Sequence, residues 1–169
     1  MAGKALMSQI IFVVDTSYLL ELFGIPNFSN EASITEVRRR FRGAVAIKAT
    51  FIVPLPCLFE LGNHIADIPQ GGLRHKKAAE VSATVQSSFE TGNPWTITPA
   101  ETLNAIQEVF TQFANQYVLE AIGLTDSFTI HEALRLKLEN VHRDCLVHIW
   151  TRDNALKARE PDTEENPFV

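Results

Sequence analysis

The sequence predicts an α/β domain of three layers, with helices on both faces of a central parallel sheet. Three observations predict it. Ile10-Ile11-Phe12-Val13-Val14 is a short, continuous apolar run, and Leu146 to Trp150 is nearly another. Such runs read as strands buried on both faces, the habit of parallel sheets. Strand-like runs alternate with segments of helical spacing, the pattern of βα units. Polar residues, Asp15 above all, stand directly after these runs. Right-handed crossovers place all strand carboxyl ends on one edge, where open α/β sheets hold their ligands.

Composition sets the outer bounds. A chain of 169 residues with 46% hydrophobic and 21% charged residues fits one domain, 1–169, with a sizeable core. No apolar run approaches the roughly 20 residues of a membrane helix, so no membrane association is expected. Residues 1–8 are too short and too weakly apolar for a secretory signal, and read as a flexible leader. The expected compartment is the cytoplasm. Cys57 and Cys145 lie in separate apolar segments and read as reduced core thiols. A net charge of −5 argues against a broad polyanion-binding face, though a local basic groove remains compatible with it.

After the first strand, Ser17 to Phe23 is a short helix, ended by Gly24-Ile25-Pro26-Asn27. Ser33-Ile34-Thr35-Glu36 has the spacing of a capping box and opens a second helix, which carries Arg38, Arg39, Arg40 and Arg42 and ends near Gly43. Thr50 to Val53 is the second strand. Pro54-Leu55-Pro56 turns into a third helix, Cys57 to Ile68, apolar at Leu58, Phe59, Leu61 and Ile65 but interrupted by Glu60. His64 lies one turn beyond Glu60.

A long helix, Leu73 to Phe89, begins with Arg74-His75-Lys76-Lys77. Cations in a first turn oppose the helix dipole, so they fit either a solvated end or a ligand phosphate. Trp95 to Ile97 is a third strand. Thr98-Pro99-Ala100-Glu101 reads as a helix start, with Pro at the first helical position. That helix runs to Gln116, with Leu103, Ile106, Val109, Phe110 and Phe113 at helical spacing. Gly123-Leu124-Thr125-Asp126 opens another helix through Leu138, with Phe128, Ala133, Leu134 and Leu138 as expected core. Cys145 to Trp150 is the fourth strand, and Asn154 to Lys157 a short final helix. The acidic segment 160–169 reads as a mobile tail.

Four acids share one edge by this topology. Asp15 ends the first strand, Glu60 sits early in the helix after the second, Asp126 starts the penultimate helix, and Asp153 follows the last strand. Singly, the three aspartates have a bland explanation as helix caps or first-turn acids. Glu60 is harder to dismiss, because a charge on an apolar helix is rarely buried without a partner. Two carboxylates about 4 Å apart repel by about 4 kcal/mol at an effective dielectric of about 20. A group of them therefore calls for cations. Hard ions such as Mg²⁺ or Mn²⁺ favour carboxylate oxygens and retained waters, and support phosphodiester hydrolysis.

Val13-Val14-Asp15-Thr16-Ser17, Leu58-Phe59-Glu60-Leu61, Leu124-Thr125-Asp126 and Trp150-Thr151-Arg152-Asp153-Asn154-Ala155-Leu156 resemble, in order, the four acidic motifs of PIN domains. The resemblance spans nearly the whole chain. It implies a metal-dependent endoribonuclease with a parallel sheet of order 3-2-1-4-5. Asp15, Glu60, Asp126 and Asp153 would be ligands for one or two Mg²⁺ or Mn²⁺ ions. Thr16 or Ser17 would support them, and Thr151 would orient the last acid. The implied substrate is RNA, its phosphates held by basic side chains such as Arg152, Arg38 and Lys76. Many small members of the family are toxins of the VapBC type, paired with an antitoxin protein, and a homodimer is a further expected partner. The chain departs from a compact toxin in its extra segment around 27–43 and in having no evident fifth strand after Ala158.

Other readings meet obstacles. A haloacid-dehalogenase-type phosphatase needs a second Asp where Ser17 stands, and a response-regulator receiver needs an acidic pair that Ile11 to Val14 lacks. Neither GxGxxG nor GxxxxGK[ST] occurs. Arg135 stands where a zinc-protease helix beginning His131-Glu132 needs its second His. In a strand, Cys145 and His148 point to opposite faces, against a zinc site with His142. The competing class is a PIN-like binding or protein-interaction module without catalysis. Such a module would keep its function in EDTA and after Asp15→Asn, whereas a nuclease would lose it.

Overall fold

A computed structural model describes residues 8–98 and 102–168. Residues 1–7 of the expected leader lie outside the described part. So do Pro99, Ala100 and Glu101 of the expected helix start.

Four strands form one all-parallel sheet. They are β1 (Ile10–Val14), β2 (Thr50–Val53), β3 (Thr96–Ile97) and β4 (Leu146–Trp150), in the order β3-β2-β1-β4. Seven α-helices are described: α1 (Thr16–Phe23), α2 (Glu31–Ala46), α3 (Leu55–Ala66), α4 (Gly71–Thr91), α5 (Leu103–Asn115), α6 (Leu124–Leu138) and α7 (Asn154–Lys157).

The period of two along β1 explains the layers. Phe12 and Val14 join a cluster with Tyr18, Leu19, Val37, Cys57, Leu61 and Trp150, drawn from α1, α2, α3 and β4. Ile11 and Val13 join a separate cluster with Ile130, Ala133 and Leu136 of α6 and Leu156 of α7. Both faces of the sheet are thereby covered, which is why its strands are apolar without alternation. Cys145 belongs to the second cluster, while the His148 ring lies 5.8 Å from Phe12 on the other face. Cys57 and Cys145 are free and buried. Burial pushes the Cys57 thiol up, so it stays protonated.

The order of strands matters for function. The chain leaves β1, builds β2 and β3 on one side, then crosses back to place β4 on the other. The switch point therefore falls between the carboxyl ends of β1 and β4, where such folds open a crevice. Val14 is level with Trp150 there, and the Asp15 amide donates to the Trp150 carbonyl at 3.0 Å.

Several expectations need correction. The order 3-2-1-4-5 stops at 3-2-1-4 among the described residues: no fifth strand lies outside β4. The tail from Glu160 to Phe168, expected to be mobile, occupies that edge instead. The amides of Val147 and Ile149 donate to the carboxylates of Asp162 (2.8 Å) and Glu160 (3.0 Å), and the Asp162 amide returns a bond to the Val147 carbonyl. Lys157 donates to Glu160 and Glu164, Lys137 to Asp162, and Arg40 to Glu164. Side chains here do the edge-covering work of a strand.

The second helix starts earlier than Ser33. Asn30 is its N-cap and accepts from the Ser33 amide, so Ser33 lies inside the first turn. Gly43 does not end the helix, which runs on to Ala46 before Lys48 adopts positive φ. The α5 helix is capped by Thr102, whose hydroxyl accepts from Ala105 N, while Thr98 is buried at the end of β3. Leu134 and Leu138, expected in the core, are exposed, and so are Leu103 and Phe110 on α5 and Phe59 on α3. On α5 only Val109 is buried, whereas α6 buries Ser127 to Ile130, Glu132, Ala133 and Leu136 and leaves Leu134 and Leu138 outside.

Candidate metal centre

The four acids predicted from the sequence line one cleft. It measures about 210 Å³ and is bounded by Asp15, Thr16, Ser17, Leu20, Glu60, His64, Asp126 and Asp153. Asp15 enters because β1 ends there and α1 begins. It is the N-cap of α1 and is buried. Its Oδ2 accepts three bonds: from the Ser17 amide (3.2 Å), the Ser17 hydroxyl (2.8 Å) and the Thr151 hydroxyl (3.0 Å). Its Oδ1 is buried and has no hydrogen-bond partner. A buried carboxylate oxygen left so is costly unless a ligand meets it.

Glu60 lies on α3, and its Oε2 accepts from the Thr16 hydroxyl at 2.7 Å. Asp126 lies in the first turn of α6, and its Oδ2 accepts from the Gly123 amide at 3.1 Å. A Cβ at position 123 would stand 3.2 Å from that oxygen, so glycine there lets the carboxylate close in. Asp153 is the exposed N-cap of α7, its Oδ1 accepting from the Leu156 amide. The bland explanation of the three aspartates is thus real. Capping occupies one oxygen of each, and the three nevertheless share a cleft with Glu60.

The supporting residues act somewhat differently from expectation. Thr16 holds Glu60, and Ser17 holds Asp15. Thr151 orients two acids at once: its hydroxyl donates to Asp15 and accepts from the Asp153 amide at 3.0 Å. Arg152 borders the cleft but pairs with the fully buried Glu21. Arg38 donates to the Leu22 carbonyl at the end of α1, and Lys76 is exposed on α4. Neither lines the cleft, so the three basic residues do not form one patch.

The electrostatics mark the cleft as strained for charge. Burial raises the Asp15 carboxyl, opposed by its bonds to Ser17 and Thr151. Burial and then the neighbouring Asp15 push Asp126 up to about 7, with Glu60 and Asp153 adding to the rise. Among the described residues no Lys or Arg lines the cleft to offset these charges. The donor set is all hard oxygen, apart from the His64 ring. An orphaned buried oxygen on Asp15 and the raised carboxyls of Asp15 and Asp126 fit a divalent cation that keeps part of its water shell. The retained waters matter. No three of the four acids bring ligand oxygens within 4.8 Å of one another, a closeness reached among the described residues by His148, Glu160 and Glu164. That second cluster is already neutralised by Lys157, at 2.8 and 3.1 Å, and by Arg40.

His64, one turn beyond Glu60, fits in the sequence either a plain core or surface histidine or a support for that acid. It lines the cleft, and its Nδ1 is buried without a partner. The signal was its position four residues after Glu60, which puts both on one helix face. Phe28, against whose ring His64 rests at 4.1 Å, stands in a turn with no periodicity to reveal it. No family model and no curated protein matches this chain.

Proposed function

We propose that this chain is a PIN-type, cation-dependent endoribonuclease. The observation that carries the reading is the buried, unpartnered Oδ1 of Asp15 at the sheet's switch point, in a cleft shared with Glu60, Asp126 and Asp153. Asp15, Asp126, Asp153 and Glu60 would hold one or two Mg²⁺ or Mn²⁺ ions. When bound, such an ion supplies positive charge against the phosphate and eases deprotonation of water. The protein's part is placement. Ser17 and Thr151 fix Asp15 through one oxygen, leaving the other for the ligand. Thr16 fixes Glu60, whose carboxylate is then set to accept a proton from the attacking water. The Thr151 hydroxyl ties the Asp153 turn to Asp15, so the two strand ends move as one unit.

Among the described residues no helix is long and apolar enough to cross a membrane. The exposed Leu103, Phe110, Leu134 and Leu138 on α5 and α6 support a protein partner, an antitoxin or a second copy, of the kind the resemblance implies. The helix-capping bonds of the three aspartates favour a second reading, a PIN-like binding module without catalysis. An RNA-cleavage assay with Mn²⁺, with EDTA and with Asp15→Asn separates the two. Cleavage abolished by both treatments is the expected result. RNA left intact by the wild type at millimolar Mn²⁺ would hand the lead to the binding module.

A further inference from the structure

A second cleft of about 330 Å³ adjoins the acids. It is lined by Ser17, Leu20, Phe28, Arg152, Asp153 and Phe168. Ser17, Leu20 and Asp153 also line the acidic cleft, so the two are continuous. Their chemistry differs. Besides Asp153, which it shares with the acidic cleft, the second cleft offers two aromatic rings and a guanidinium.

Each of these groups is braced from behind. The Phe28 ring rests on His64, with ring centres 4.1 Å apart, and Phe28 remains 38% exposed. Its loop is tied down by the Ser29 hydroxyl on the Ile25 carbonyl and by the Asn30 amide on Glu21. Phe168 meets Tyr18 edge-on at 5.6 Å, and its amide donates to the Asn166 side chain. Arg152 pairs with Glu21 and stands 5.4 Å from the Phe168 ring centre. Its charge is therefore balanced from within the protein, and it serves better as a flat wall than as a phosphate clamp.

Braced aromatic faces beside a phosphate-binding site suit nucleobases, which stack on them with little regard to identity. The volume lies within the range of small-ligand pockets. We infer that this cleft is a base subsite, in which a nucleotide next to the phosphate at the acids stacks its base on Phe28 and Phe168. The inference rests on the RNA-cleavage reading for the placement of that phosphate. It specifies the substrate further. A base paired in a duplex is not available to such a pocket, so the RNA is single-stranded at the point of binding.

The test uses the full chain with Mg²⁺ and a short single-stranded oligoribonucleotide carrying a fluorescent purine analogue. Binding is read by stopped flow before cleavage accumulates, and cleavage is read separately. Stacking on the wild type is expected to quench the analogue. Phe28→Leu and Phe168→Leu keep apolar bulk but lose the ring, and each is expected to weaken binding about tenfold and reduce the quench. Phe28→Tyr should retain both. On the wild type alone, removing one base at a time should cost about tenfold at one position and little elsewhere. The same strand annealed to its complement should bind far more weakly. Wild-type affinity and quench in both Leu variants, no position sensitive to base removal, or equal binding of the duplex would each overturn the subsite. Quenched binding without cleavage would sustain the subsite while removing the nuclease reading. Cleavage with no sign of stacking would do the reverse.

Discussion

The Thr151 hydroxyl donates to Asp15 Oδ2 at 3.0 Å, joining the carboxyl ends of β4 and β1 across 136 positions of sequence. The Thr151 hydroxyl oxygen in turn accepts from the Asp153 amide. One small side chain thus sets the orientation of two acids. Thr151→Val keeps the shape and removes the hydroxyl. Partners of ligating groups typically matter tenfold or more for metal affinity, so Mn²⁺ binding by calorimetry should weaken by about tenfold. Unchanged affinity would show that Thr151 serves the fold alone.

Stability without metal should fall as pH rises from about 4 to about 7. In the unfolded chain Asp126 titrates near 3.8, whereas burial and Asp15 hold it up to about 7 in the fold. Between these values the folded state keeps a proton that the unfolded state has released, so raising pH favours unfolding. Asp15, also raised, acts in the same direction. Asp162 is lowered despite some burial, chiefly by its bond from Lys137, so its contribution is lost only on acidification towards its low folded value. Thermal melts at pH 5 and pH 7.5, with and without Mg²⁺, check this. The Mg²⁺-induced rise in Tm should be larger at pH 7.5, where the carboxyls are free to bind it.

Arg152 and Glu21 test whether a basic residue beside the acids serves the substrate or the fold. Glu21 is fully buried and Arg152 is its charged partner. Arg152→Met should destabilise the protein by about 3 kcal/mol, because it strands a buried carboxylate. Adding Glu21→Leu should restore most of the loss in urea unfolding. A single variant as stable as the wild type would show the pair to be dispensable.

The edge of β4 offers a separate test. Ending the chain at Arg159 removes the carboxylates that accept from Val147 and Ile149. Hydrogen exchange at those two amides should become fast, and the shortened protein should self-associate through the bared edge. Retained protection would mean that another group covers it.

These outcomes follow from features of unequal legibility. The strands β1, β2 and β4 were readable because burial on both faces leaves an unbroken apolar run. The meeting of Asp15 and Asp153 followed from that reading, since parallel strands end on one edge. The tail was not readable: Glu160 and Asp162 look like solvated charges until β4 presents two free amides to them. The start of α2 was misplaced because Asn30 caps it ahead of the Ser33-to-Glu36 pattern, a local competition that spacing alone does not rank. Leu103 and Leu138 fit helical periodicity yet face outward, because a periodic stripe does not state how much of it the neighbours cover. Phe28 and Phe168 sit in irregular segments, where only the tertiary fold brings them beside the acids.

The most direct measurement is Mn²⁺ calorimetry on the wild type and on Asp126→Asn, paired with RNA cleavage in the same buffer. The expected result is that the wild type binds the ion and cuts RNA, while the variant loses both. A wild type that binds no Mn²⁺ at millimolar concentration and leaves RNA intact would contradict the account, and the acids would then stand as helix caps.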